Sequence, residues 1–458
     1  MTDALAYARD HADRFVGELK DWLRIPSIST DSTYAPETRR AAEWVAGNLR
    51  SAGVDRVDVM DTDGHPVVLA EHKVSDEAPT VLVYGHYDVQ PPDPLDLWDQ
   101  DPFEPVEVDG DLVARGAADD KGQAFMHVKA AEAWLASGGP PVNLKILLEG
   151  EEEIGSKHLP AFLEAHRERL SADVVLVSDT SLFAPGVPSI AYSLRGLAYV
   201  EVELTGPSKD LHSGVYGGAV ENPINALAAM IADLHDDDHR VTIDGFYDNV
   251  RDLTAEEREA YRQLPFDEAG WKAEVGVEAT RQEGDYSILE GTSGRPTLDV
   301  NGIWGGYTGE GAKTVLPSKA TAKISCRLVA DQTPAEITEK LRAHFEAHVP
   351  ETMTLEFRNL HGGHGVIVDR DAPAMQAAAE ALEGVFGQRP HFTREGGSIP
   401  IVADFKRILG LATVLLGFGL DSDSIHSPTA RFGLDRFHQG IAASIRFMDA
   451  LARQAEAA

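Results

Sequence analysis

The chain has 458 residues, room for two or three domains, and 43% of them are hydrophobic, which excludes a disordered chain. Its 41 Lys and Arg against 75 Asp and Glu leave a net charge of −34, which argues against nucleic-acid binding and suits a field that draws divalent cations. The single cysteine, Cys326, excludes an internal disulfide framework, and no run approaches the ~18 apolar residues of a membrane span.

Residues 4–24 and 36–51 read as amphipathic helices, with Ile25–Pro26 as a stop. The acidic N-terminal stretch lacks the basic start and apolar core of a signal peptide, so a cytoplasmic, soluble protein is expected. Strand-like runs then alternate with helices to about residue 190, one helix lying near 121–137 and another following Gly155–Ser156. This is the pattern of an α/β, doubly wound, mostly parallel sheet. The rhythm changes near Leu194–Gly196. Leu197–Leu204 alternates as a half-exposed strand does, and a helix near 223–235 follows. Strands at 297–304 and 319–329, a helix at 334–347 and a strand at 353–360 complete a β-α-β-β-α-β order, the ferredoxin-like split. A polar insertion, about 236–296, has no evident place in that order. After His364 the α/β rhythm resumes, with a helix near 372–386, a strand near 411–418 and a closing helix near 434–455. Residues 1–193 and 365–458 are therefore expected to form one domain, into which 194–364 is inserted as a second.

Five apolar runs carry acids or histidines just beyond their ends. They are Thr80–Tyr84, Asp111–Ala114, Asn143–Leu148, Asp173–Val177 and Leu411–Phe418. After them come His86 and Asp88, Asp119 and Asp120, Glu151–Glu153, Asp179, and Asp421–His426. In open α/β sheets the carboxyl ends of the strands face the functional crevice, so these side chains are expected to converge. Two histidines with several carboxylates are the donor set of a hydrolytic metal site. Each signal alone has a plainer reading as a helix cap, a turn or a solvated acidic face. Five coinciding at strand ends favour one shared site. Spacing leaves open whether Asp119 or Asp120 bridges two cations. It also leaves open which of Glu151, Glu152 and Glu153 is a ligand and which a base. His11, His65, His72, His158 and His166 sit in polar helical or loop settings and read as surface residues.

Several motifs fail. In GYTGEGAKT, Ala312 separates Gly311 from Lys313, so the phosphate-loop signature is broken. The Asp-x-Asp runs at Asp61 and Asp421 lack the glycine and glutamate of an EF-hand. No H-E-x-x-H and no G-x-S-x-G occurs.

The segments GHYDVQP, RGAADDKG, EGEEEIGS, SDT, LHSGVYGG, AKTVLP, SCRLV, HGG, TREGGSIP and IHS, in that order, resemble the di-zinc metallodipeptidases of the carnosinase group. That group is related to succinyl-diaminopimelate desuccinylase and the aminoacylases. The resemblance implies a zinc-peptidase-like catalytic domain with an inserted lid that also makes a homodimer. It implies that His86 and Asp179 hold one zinc, that Glu153 and His426 hold the other, and that Asp119 bridges them. Manganese or cobalt would also suit carboxylate-rich ligands. Glu152 takes the place of the general base and Asp88 that of the residue orienting it. His212 matches a histidine that reaches the partner's active site and polarises the substrate carbonyl. Thr314, Arg327, His361 and Ser398 match substrate-holding positions, with Arg327 suited to a terminal carboxylate. Glu151 departs from the pattern, since relatives often carry an uncharged residue there, and its charge is expected to raise the pKa of the base.

The expected activity is hydrolysis of dipeptides or short peptides by a co-catalytic pair of metal ions with a bridging water. Deacylation of N-acyl or succinyl amino acids is an alternative within the hydrolases. A non-catalytic metal-binding scaffold of the same fold is a second alternative. No nucleic-acid or membrane partner is expected.

Overall fold

Four strands, Asn143–Glu149, Thr80–His86, Val174–Val177 and Thr413–Leu415, lie side by side in that order and run parallel. Their apolar residues, such as Val83, Leu147, Leu176 and Leu415, are fully buried. Each such side chain contributes roughly 1.5–3 kcal/mol. Burial on both faces explains the uninterrupted apolar runs in the sequence. Antiparallel strands flank this core, Val67–His72 and Arg56–Met60 on one side and Ser189–Leu194 on the other. The computed structural model describes residues 1–397 and 399–457.

The chain divides into two units. The first comprises Met1–Tyr192, Val368–Thr393 and Asp404–Ala458; the second comprises Ser193–Ile367 and Arg394–Ala403. No described helix is long and apolar enough to cross a membrane.

Two details of the first unit depart from the sequence reading. The expected helix over 4–24 is broken at His11 into Thr2–Asp10 and Ala12–Leu23. The Asp111 run does not join the main sheet. Its three-residue strand, Asp111–Val113, sits between Val106–Val108 and Arg431–Gly433 in a small antiparallel sheet of its own. A run that short finds its hydrogen bonds in a local hairpin. The Lys121–Ala136 helix begins just beyond it and is buried on nearly every side.

In the second unit the strands Thr297–Gly305, Lys319–Leu328, Gly196–Thr205 and Thr354–Gly363 form an antiparallel sheet in that spatial order. This is the ferredoxin-like arrangement. The helices Pro223–Ala232 and Pro334–His348 cover one face, and Leu204, Ile324, Leu341 and Phe345 fill the core between the layers. The 236–296 segment carries three short helices, Ala255–Gln263, Glu268–Val275 and Ile288–Ser293. It walls a cavity of about 580 Å³, where Trp271 and Arg281 stand with Arg195, Arg295 and Arg327.

Candidate metal centre

Strand Thr80–His86 ends on a histidine that is fully buried. Gly85 precedes it because a Cβ there would lie 2.7 Å from Asp120 Oδ2 and 2.9 Å from Ala124 Cβ. The close approach lets the backbone N–H of His86 donate to Asp120 Oδ2 at 3.1 Å. On the ring, Nδ1 lies 3.1 Å from the carbonyl oxygen of Asp88, which can only accept, so Nδ1 carries the proton. In the neutral ring Nε2 then presents a lone pair. That atom is buried without a hydrogen-bond partner and lies 3.1 Å from Asp119 Oδ1.

The other oxygen of Asp119, Oδ2, lies 2.9 Å from His426 Nε2, which is itself 3.4 Å from Glu153 Oε2. Two donor groups result, both sharing Asp119. His86, Asp119 and Asp179 form one and Asp119, Glu153 and His426 the other, with the ligand atoms of each group within 4.8 Å of one another. Asp120, the other candidate for a bridge, instead faces the backbone of His86.

Asp88 is fully buried and organises the turn after Asn143–Glu149. Its Oδ1 accepts from the N–H of Glu152 at 3.2 Å and its Oδ2 from that of Glu153 at 3.1 Å. Gln90 donates to Glu153 Oε2 at 2.8 Å. The His426 loop is fastened by Arg115, whose guanidinium donates to the carbonyls of Ile425 and Ser427. Sequence reasoning passed over both Gln90 and Arg115. Each lies inside a segment already singled out, GHYDVQP and RGAADDKG, and an arginine four residues before an aspartate pair was the only signal the sequence offered.

Glu151 has a partner of its own. Its carboxylate turns to His158, with His158 Nδ1 2.8 Å from Glu151 Oε2. Burial drives the carboxyl of Glu152 up, to about 7; His86 opposes this, while Glu153, Asp119 and Asp88 add to it. The acids that raise Glu152 most are these three, while the carboxylate of Glu151 is paired with His158. His158, read as a surface residue, is the half-buried partner of a buried acid.

The electrostatics describe a cluster short of positive charge. Burial and the charge of Asp120 hold Asp179 well above the usual carboxylate range. Burial and the charge of Asp119 raise Glu153. Asp119 goes the other way: burial would raise it, but His426 and His86 hold it low. Burial opposes a charged His86, yet Asp119 and Asp88 raise its pKa well above the ordinary value. Asp119 and Glu153 likewise raise His426, to about 10. Beneath the cluster Glu149 is pushed up to about 8 by burial, although Tyr84 Oη and Ser156 Oγ donate to it at 2.6 and 2.8 Å. Buried acids in this number need cations or protons. The donor set, the orphaned His86 Nε2 and the two groups sharing Asp119 all fit divalent metal.

His212, Thr314, Arg327 and His361 lie in the second unit. His212 pairs with Val315 in a short ribbon, and Thr314 is attached to it, its carbonyl accepting from Ser213 N–H at 3.1 Å. His212 Nδ1 accepts from Gly214 N–H at 2.9 Å, which leaves the Nε2–H of the exposed neutral ring as a donor. Arg327 pairs with Leu197 and His361 with Tyr199, so both stand on the sheet face opposite the helices. Ser398 lies outside the described residues.

A model of peptidase family M20/M25/M40 matches residues 82–450. The chain is 35% identical over 446 residues to the Cys-Gly metallodipeptidase dug1 of Schizosaccharomyces pombe, covering 94% of each. It is 32% identical over 454 residues to the human Beta-Ala-His dipeptidase, covering 94% of this chain and 88% of that one. Its fold matches the crystal structure of human carnosine dipeptidase 1 with a TM-score of 0.84 at 31% identity, over 98% of both chains. The chain is a metal-dependent hydrolase and belongs to peptidase family M20/M25/M40.

Proposed function

We propose that the chain is a dipeptidase whose site takes two zinc ions. His86 and Asp179 would hold one, Glu153 and His426 the other, with Asp119 between them. The observation that carries this reading is the position of Asp119, whose two oxygens face two histidines separated by 340 residues of sequence. When bound, such an ion pair supplies Lewis-acid polarisation of the scissile carbonyl and makes an attacking water more acidic.

The residues of the chain supply the rest. A carboxylate of Glu152 takes the proton of the attacking water and passes it to the leaving amine. Its raised pKa suits both halves of that task. Asp88 holds Glu152 and Glu153 in register through their backbone N–H groups. His212, with Nε2–H as donor, is assigned to the developing oxyanion in the partner protomer of a homodimer formed through 194–364. Thr314, Arg327, His361 and Ser398 are assigned to substrate, with Arg327 on its terminal carboxylate. In this reading 1–193 and 365–458 are the catalytic domain and 194–364 the lid.

A substrate panel on metal-reconstituted protein tests the reading. The relatives are named for Cys-Gly and Beta-Ala-His, so those dipeptides head the panel. Dipeptides should be cleaved with kcat/KM at least tenfold above N-acetyl and N-succinyl amino acids. Preference for the acylated amino acids would overturn it.

A further inference from the structure

A third donor group stands in the second unit, unconnected with any residue assigned above. The Pro334–His348 helix buries Ile337, Leu341 and Phe345 against the sheet, capped at its start by Thr333, whose Oγ1 accepts from Glu336 N–H at 3.2 Å. The same winding sets His344 and His348 one turn apart at the edge of the apolar stripe. Asp233, at the C-terminal cap of the Pro223–Ala232 helix, faces them. One ligand atom from each of Asp233, His344 and His348 falls within 4.8 Å of the others.

Hydrogen bonding aims the lone pairs inward. His348 Nδ1 lies 2.7 Å from the backbone carbonyl oxygen of His344, which can only accept. That nitrogen therefore carries the proton, and Nε2 of the neutral ring faces Asp233 Oδ2 at 3.5 Å. This tautomer, fixed by a carbonyl, is the one metal-bound histidines adopt. His344 has a side chain only 8% exposed, and its Nε2 is buried with no hydrogen-bond partner, 3.9 Å from the same Asp233 oxygen. Burial lowers the pKa of His344 and a charge on His348 would lower it further, which favours the neutral ligand form. A proton shared by His348 and Asp233 would satisfy that pair and leave His344 Nε2 orphaned. A dication satisfies all three.

The surroundings also favour positive charge. Both helices end here, so their negative dipole ends converge on the spot where Asp233 adds a further negative charge. Zinc bonds of ~2.0–2.1 Å at tetrahedral angles put donor atoms roughly 3.3 Å apart, against 3.5 Å from His348 and 3.9 Å from His344 to the Asp233 oxygen.

The geometry points to a site for a first-row transition dication, zinc or a similar imidazole-seeking ion, held by His344, His348 and Asp233 on the surface of the second unit. Its three protein ligands leave a fourth position to water. Bound there, the ion ties together the C-terminal ends of the two helices that cover the sheet. Two nitrogens and a single carboxylate favour zinc over magnesium.

Zinc counting tests the site. Metal-stripped wild type, His344→Ala, His348→Ala and Asp233→Asn are equilibrated with free zinc buffered in the micromolar range, and bound zinc per chain is measured by atomic emission. The wild type should retain one ion more than each variant, while dipeptide turnover stays unchanged and magnesium gives no difference. Zinc should also raise the Tm of the wild type more than that of His348→Ala. His348 and Asp233 are exposed, so those two variants carry the test if His344→Ala fails to fold. Equal zinc counts in wild type, His348→Ala and Asp233→Asn overturn the inference. Equal counts with dipeptidase activity intact would leave the catalytic reading standing.

Discussion

Asp88 accepts the backbone N–H of Glu152 at 3.2 Å from a fully buried carboxylate, and with its other oxygen it accepts that of Glu153. One side chain thus sets the turn that presents both a proposed base and a proposed ligand. Hydrogen bonds to a charged group are worth about 1.5–3 kcal/mol each. Asp88→Ala should lower kcat by roughly a hundredfold or more, with KM moving little, because the turn loses its anchor. Asp88→Asn should retain more activity than Asp88→Ala, since it keeps one acceptor. An Asp88→Ala enzyme with wild-type kcat would remove Asp88 from the positioning role.

Glu152 separates binding of metal from chemistry. Glu152→Ala should hold as much metal as the wild type and lose about 10²–10⁴ in kcat, the usual worth of a general base. Metal content by atomic emission and turnover on a dipeptide are the two measurements. A variant that loses metal in proportion to activity would mark Glu152 as a ligand instead.

His212 offers a test of assembly. Glu152→Ala and His212→Ala chains, each inactive alone, should regain activity when mixed and allowed to exchange subunits. Random pairing returns about half the protomers to mixed dimers, each with one intact site. Proven exchange without recovery would confine His212 to its own protomer.

Acid stability should depend on His127. This residue lies in the buried Lys121–Ala136 helix, with Nε2 2.8 Å from Ser178 Oγ and Nδ1 3.0 Å from Ser444 Oγ. Ser178 Oγ donates to the carbonyl of Leu416, so it accepts from Nε2–H. Burial lowers its pKa from 6.5 to about 4. The unfolded chain therefore takes up a proton that the folded chain refuses. Stability is lost as pH falls from about 6.5 to about 4, by up to about 3 kcal/mol, and this contribution is flat below that window. Denaturant unfolding of wild type and His127→Gln across that range should show the steeper decline in the wild type. Parallel curves would refute the assignment.

Much of the site was legible because buried parallel strands must be apolar and must end in loops, and those loops carry the acids and histidines. Choosing between Asp119 and Asp120 was beyond spacing, because adjacent residues differ only in where the backbone turns them. The partner of Glu151 was likewise hidden. His158 lies seven residues on, across a short helical turn, and neither residue carries a periodic signal. The 236–296 segment was readable in part. Thr254 with Glu257 and Ser287 with Glu290 form capping boxes, whose Ser/Thr-x-x-Glu pattern marks helix starts in the bare sequence. Its helices are short and polar, so hydropathy alone gave no reason to look for them.

His86 is sealed in the interior, whereas the side chain of His426 is 55% exposed on a loop held by the guanidinium of Arg115, at Ile425 and Ser427, and by that of Arg436, at Asp423. The two halves of the cluster therefore face solvent unequally. Of the histidines proposed to hold metal, His426 is the one that solvent reaches, and His86 is shut away from it.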